Sequence, residues 1–197
     1  PVIIVNCSVA GGKVLRAFSD DKEAGRMQGE YMAKHLPEGA KIVYLQGDGT
    51  QSSAVGRWEG FKEACLDKRP DIQLLSFVDA GWSKAEALKT MTLWMSMFPE
   101  INGVVAGNDE MALGAVAALK GANRLEGCLV SGVDASAAGL AAVESGEMVQ
   151  TIKQDAKAQG EAALTLVEGF LKGNAPSGDL AIPFTSITSD NIAQAGK

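Results

Sequence analysis

A chain of 197 residues that is 46% hydrophobic and 21% charged has the composition of a globular protein with a real core, and the length for one large α/β domain or parts of two. Its formal charge of −6, with lysine and arginine scattered, excludes the basic stripe of a nucleic-acid binder, and no apolar run approaches the roughly 18 residues of a membrane span. Cys7, Cys65 and Cys128 lie far apart and His35 is the only histidine, so the spacing supports neither a zinc site nor any cofactor.

The chain opens on Pro1-Val2-Ile3-Ile4-Val5, and a strand is expected over residues 2–5. So apolar a strand needs neighbours on both sides and nothing precedes it, so the chain reads as cut inside a domain, with no signal-peptide leader of its own. A helix over 23–35 follows, with Asp20 and Glu23 at capping-box spacing. Strands over 41–46, 72–79, 103–106, 128–133 and 149–153 then alternate with helices over 53–67, 84–97, 109–119, 137–144 and 156–171. The strands are nearly continuous apolar runs, such as Ile42-Val43-Tyr44-Leu45, which suits burial on both faces. Short connections between repeated strand–helix units predict an α/β fold built on a doubly wound parallel sheet. In the last helix Ala163, Val167, Phe170 and Leu171 form the expected apolar stripe, Gly173 terminates it, and residues 173–178 read as a loop.

Enzyme signatures are missing. His35 sits at a helix end, where a cation suits the helix dipole, and no Gly-x-Ser-x-Gly surrounds a serine. Gly47-Asp48-Gly49 is half of a dinucleotide fingerprint, but Ser52 stands where the third glycine belongs, so a plain loop is the better reading. What remains is polar and aromatic residues at or just past strand ends: Arg57 beyond the 47–52 loop, then Trp82, Asn108, Asp134 and Gln154. Each has an ordinary reading as a solvated arginine, a tryptophan lid over a core edge, or a helix cap. Asn108 in particular either caps the helix opened by Asp109 and Glu110 or reaches a ligand. Together they fit the carboxyl-edge crevice of an open α/β sheet. A guanidinium, carboxamides and a carboxylate bridge hydroxyl pairs, while an aromatic face stacks on a sugar ring.

The runs Gly107-Asn108-Asp109-Glu110-Met111-Ala112-Leu113-Gly114, Ser131-Gly132-Val133-Asp134 and Ala142-Val143-Glu144-Ser145-Gly146 carry a family resemblance. From Pro1 to about Asn191 the chain resembles the ribose-type sugar-binding proteins of bacterial ABC importers, which have the type I periplasmic binding fold. The resemblance implies sugar contacts by Arg57, Asn108, Asp134 and Gln154, with Trp82 stacking on the ring. Trp82-Ser83-Lys84 and the run from Gln154 to Gly160 look most like the myo-inositol-binding kind. Where the family commonly has Asp-Arg or Asn-Arg, this chain has Asn6-Cys7; Asn6 can still bond a hydroxyl, while Cys7 either alters the ligand's polarity there or packs as a small hydrophobe. The further strand–helix units that precede the opening strand in the family are not in this sequence.

By resemblance, residues 1–19 are a fragment of the N-terminal lobe, 20–154 form the C-terminal lobe, 155–182 return to the N-terminal lobe, and 183–197 are a C-terminal return segment. The implied function is non-catalytic: capture of a sugar or cyclic polyol between two lobes and delivery to an ABC permease, in the periplasm or on an extracellular lipid anchor. Self-association, or pairing with the missing N-terminal segment, is expected of the exposed half-lobe. Two other functions share the fold, the effector-binding core of a LacI-type regulator and the extracellular sugar-sensing domain of a signalling receptor.

Overall fold

A computed structural model describes residues 2–7, 14–174 and 178–194. Pro1 of the opening run, residues 8–13 of the expected 1–19 fragment, 175–177 of the 173–178 loop and 195–197 of the return segment lie outside the described residues. The chain forms two compact units: Pro1–Asp20 with Gln154–Phe184, and Asp21–Lys153 with Thr185–Lys197.

The larger unit is built on a six-stranded sheet. Its strands are β3 (Lys41–Gln46), β4 (Gln73–Asp79), β5 (Gly103–Ala106), β6 (Leu129–Asp134), β7 (Gln150–Lys153) and β9 (Thr185–Thr188), in the order β4-β3-β5-β6-β7-β9. The five strands expected here form the parallel part. The sheet is not parallel throughout, because β9 runs antiparallel to β7 along one edge. The sequence Thr185-Ser186-Ile187-Thr188 carries too little apolar signal to announce itself as a strand. Parallel order turns around between β3 and β5, with β4 to one side and β6 and β7 to the other, and this is the topological switch point where such sheets hold ligands.

Helices cover both faces because alternate strand residues point in opposite directions. Ile42 and Tyr44 face α1 (Asp21–His35) and α2 (Ser52–Phe61), packing with Met32, Leu36 and Phe61. Val43 and Leu45 face the other way, into a core with α3 (Lys84–Met97), α4 (Asp109–Gly121) and α5 (Ala137–Glu144), among Met91, Trp94, Met111 and Leu119. The expected 53–67 helix widens after Phe61 into a π-helical turn, Lys62–Leu66. A polar seam runs through this core. Gln28 of α1 is fully buried and donates to the Ala106 carbonyl and to Ser131 Oγ, each at 3.1 Å. Ser131 Oγ in turn donates to Gln150 Oε1 at 2.9 Å, pinning α1 across β5, β6 and β7.

The smaller unit carries a three-stranded sheet in the order β1 (Ile3–Val5), β2 (Leu15–Phe18), β8 (Leu180–Ala181), covered by α6 (Ala156–Leu171). Strands β2 and β8 differ from the sequence expectation, which has neither: Arg16 interrupts the apolar run of the first, and the second is only two residues long. The apolar stripe expected on α6 is shifted. Leu166 is buried beside Ala17 and Ile182, with Ala158, Ala162 and Ala163, whereas Val167, Phe170 and Leu171 are exposed. The seam is set by which face meets Ile3 and Leu15, and periodicity alone could not choose between two apolar stripes. Gly173 ends the helix as expected, at φ +73°.

Candidate functional site

Four of the six expected residues gather at the switch-point edge of the larger sheet, each placed by a local device. Trp82 follows Gly81 in a turn with φ of +57° and +60°, an unusual conformation for a tryptophan. Its indole lies so close over Gly47 and Gly107 that a Cβ at Gly47 would fall inside the ring system. Its Nε1 donates to Gln51 Oε1 at 3.0 Å. Gly47 is therefore the floor under the aromatic face, a second role for the loop read as half a fingerprint.

Arg57 is not on a solvated face. One turn into α2, it is only 4% exposed, and its guanidinium runs inward to the strand ends. Nε donates to Asp21 Oδ1 at 2.9 Å, Nη1 donates to the Gly107 carbonyl at 2.6 Å, and the guanidinium carbon stands 5.5 Å from the Trp82 ring centroid. Asn108 follows Gly107 and opens α4: its Oδ1 accepts from Met111 N–H at 3.0 Å. The cap uses the carbonyl oxygen only, so the amide NH₂ has no partner among the described residues.

Asp134 ends β6 at φ +124°, and Ala135 follows at φ +50°. The half-buried Asp134 carboxylate accepts no hydrogen bond among the described residues. Burial pushes its pKa up to about 6; the Arg57 charge pulls the other way, and Asp109, Asp21 and Glu110 add to the rise. Being raised above the unfolded value, this pKa makes the unliganded fold bind more protons than the unfolded chain between about pH 4 and 6, so stability falls as pH rises through that window. Only the ionised carboxylate accepts hydrogen bonds at both oxygens, so binding of a hydroxylated ligand should weaken below about pH 6. Thermal unfolding from pH 4 to 8 with and without ligand measures both trends; flat curves in both series would exclude Asp134 as the titrating contact.

The other two expected residues belong to the smaller unit. Asn6, at φ +55°, accepts at Oδ1 from Gln154 Nε2 at 2.6 Å and from buried Gln159 Nε2 at 3.2 Å, and Gln159 Nε2 also donates to Ser19 Oγ at 2.8 Å. Cys7 is exposed, so it does not pack as a small hydrophobe within the described residues. The three cysteines are free, and burial pushes Cys65 up to about 11 and Cys128 up to about 12. No group of three or more His, Cys, Asp or Glu among the described residues is arranged to hold a metal ion. No described helix is long and apolar enough to cross a membrane.

Sequence reasoning passed over the residues that hold this edge in shape. Asp21 lay outside the expected helix, which begins two residues earlier than residue 23 and so sets Asp21 against Arg57. Asp109, read as a carboxylate of the helix's first turn, is fully buried and bonded to Thr151 and Ser136. The only sequence signal was its position directly after Asn108.

A family model described as "Periplasmic binding protein domain" matches residues 1–175. A xylitol-binding protein of Mycolicibacterium smegmatis is 38% identical over 174 residues, covering 88% of this chain and 49% of the relative. Curated relatives of this kind are longer, and the chain spans about half to three fifths of their length. An ABC-transporter solute-binding protein of Bacillus halodurans, solved with bound myo-inositol, superposes with a TM-score of 0.93 at 30% identity, covering 98% of this chain and 68% of that one. The fructose-binding periplasmic domain of a hybrid two-component system gives a TM-score of 0.91 at 29% identity, covering 98% and 65%.

Proposed function

This chain belongs to the periplasmic binding protein domain family, and on that premise we propose that it binds a sugar or cyclic polyol without transforming it, for delivery to an ABC permease on the outer side of the cytoplasmic membrane. The observation that carries this reading is the unspent bonding capacity at the switch-point edge. Trp82 offers an aromatic face, Asn108 a free amide NH₂, Asp134 an unbonded carboxylate, and Arg57 an Nη2 with no partner among the described residues. An acceptor and two donors beside a ring face match vicinal hydroxyls on a saturated ring, whose C–H surface stacks on indole. In the smaller unit, Asn6 and Gln154 are kept as proposed ligand contacts. The wholly neutral hydroxyl ligand explains the balance of charge: Arg57 is already neutralised by Asp21, so an anionic substrate finds no spare cation there.

Membership of a family of binding proteins supports the non-catalytic reading. Among cyclic polyols myo-inositol, the ligand of a similar structure, is the first to test, and xylitol, named for a similar protein, is the open-chain comparison. A second reading, as the sensor domain of a signalling receptor, is favoured by the likeness to the fructose-binding domain of a two-component system. Both readings use the same site.

Calorimetric titration of the protein at its natural full length with xylitol, myo-inositol and D-ribose tests the proposal. Trp82→Ala and Asp134→Asn should each weaken the bound ligand by about tenfold to a hundredfold, since one removes the stacking face and the other an ionic acceptor. Unchanged affinity in both variants would sink the site, and no binding of either myo-inositol or D-ribose would sink the ligand class.

A further inference from the structure

Asp109 is fully buried at the first residue of α4, and its carboxylate reaches Ser136 in the loop between β6 and α5 and Thr151 of β7. It accepts from Thr151 Oγ1 at 2.6 Å, from Ser136 N–H at 2.8 Å and from Ser136 Oγ at 2.9 Å. Thr151 Oγ1 uses its remaining capacity to accept from Ala135 N–H at 3.0 Å. The backbone amides of two consecutive residues, 135 and 136, are thus held by one carboxylate, the first through a threonine and the second directly. These residues directly follow Asp134, and the left-handed pair Asp134–Ala135 is the strained part of the connection.

The space is built for this side chain. A Cβ on Gly139 of α5 would collide with the Asp109 carboxylate, and a Cβ on Gly132 of β6 would press on its other oxygen. Glycine on both sides admits a carboxylate that the two residues then enclose. Burial raises the Asp109 pKa while its three donors and the N-terminus of its own helix favour the charged form.

We propose that Asp109 is a positioning residue for ligand binding: through Thr151 and Ser136 it locks the left-handed Asp134–Ala135 turn and so fixes where the Asp134 carboxylate points. This rests on the reading of Asp134 as a ligand contact. A carboxylate tolerates little error in aim when it must accept from two hydroxyls at once, and an unlocked turn would relax toward ordinary backbone angles. Asp109 has a second effect on Asp134 that simple bracing would lack. Its negative charge, with Asp21 and Glu110 and against Arg57, adds to the burial that keeps the Asp134 proton affinity high.

Three variants test this at the protein's natural full length: Asp109→Asn, Thr151→Val and Thr151→Ser. The first readouts need no ligand. Amide exchange at Ala135 should accelerate about tenfold or more in Thr151→Val, and stay at the wild-type rate in Thr151→Ser, which keeps the hydroxyl. The Asp134 carboxyl, followed by carbon NMR, should titrate lower in Asp109→Asn than its wild-type value of about 6. Calorimetry with the polyol that the wild type binds should then show about a tenfold loss or more in both Asp109→Asn and Thr151→Val. Wild-type exchange at Ala135 in Thr151→Val overturns the lock, and an unmoved Asp134 titration in folded Asp109→Asn overturns the second, electrostatic effect. If Asp109→Asn does not fold, the exchange and affinity of the threonine pair decide alone. Failure of the wild type to bind any polyol counts against the proposed function, while exchange and titration still decide the role of Asp109.

Discussion

Arg57→Ala should destabilise the larger unit by about 3–5 kcal/mol and abolish ligand affinity in the same stroke. The guanidinium is 4% exposed, and its loss takes the ionic partner at 2.9 Å from the largely buried Asp21 carboxylate and the donor from the Gly107 carbonyl. Removing one partner of a buried pair costs far more than the pair's net contribution, because the remaining charge stays desolvated. The same deletion removes the cation that stands 5.5 Å from the Trp82 ring centroid, and with it a hydrogen-bond donor at this edge. Urea unfolding reads the first effect, and calorimetry with a bound polyol reads the second. Arg57→Lys keeps a charge but cannot fork to both Asp21 and Gly107, so it should recover part of the stability and little of the affinity. A wild-type midpoint for Arg57→Ala would mean that the ion pair is not a structural contact in solution.

The second large effect is expected at Gly25. Helices α1 and α2 cross so closely that a Cβ on Gly25 would run into the Arg57 carbonyl, and one on Gly60 into the Lys22 carbonyl. Backbone cannot step aside as a side chain can, so Gly25→Ala must push the helices apart at a cost of about 3 kcal/mol. Separation there also pulls Asp21, one turn earlier on α1, away from Arg57. The prediction is thus a coupled one: Gly25→Ala lowers the urea midpoint and weakens polyol binding, although the glycine touches no ligand. Gly121→Ala is the control. Nothing lies within 4 Å of a Cβ there, so it should leave the midpoint unchanged or raise it by up to about 1 kcal/mol. A loss in Gly121→Ala as large as that in Gly25→Ala would mean that the α1–α2 crossing is not its source, since helix propensity alone favours alanine at both positions.

These two predictions turn on contacts between residues at least 25 positions apart along the chain, and that separation marks the limit of what the sequence could tell. Strand runs such as Ile42–Leu45, the amphipathic helices between them and the glycine after α6 were readable, because each depends on residues within a few positions. The alternation of strand and helix also implied where ligands bind, and it named Arg57, Trp82, Asn108 and Asp134, which the fold gathers at one edge. Weakly apolar elements escaped: β2 is interrupted by Arg16, β9 alternates threonine and serine with one isoleucine, and β8 is only two residues, whereas the equally short Gly103–Ala106 reads as a continuous apolar run.

Side-chain roles escaped for a different reason. Arg57 and Asp109 have the composition of surface residues, and nothing adjacent to them in sequence says otherwise. Asp21, Gly107, Ser136 and Thr151 make them interior, and those partners reach them only when the sheet forms. On α6 two apolar stripes competed, and packing against β1 and β2 chose Leu166 over Val167 and Phe170. The sequence alone determined the α/β class, the doubly wound order of elements and the chemistry gathered at the strand ends, since patterning and turn residues act locally. Only the tertiary structure decided which charges are buried, which glycines cannot change and how Asp134 is aimed, because burial and aim are properties of neighbours that the chain brings together from far away.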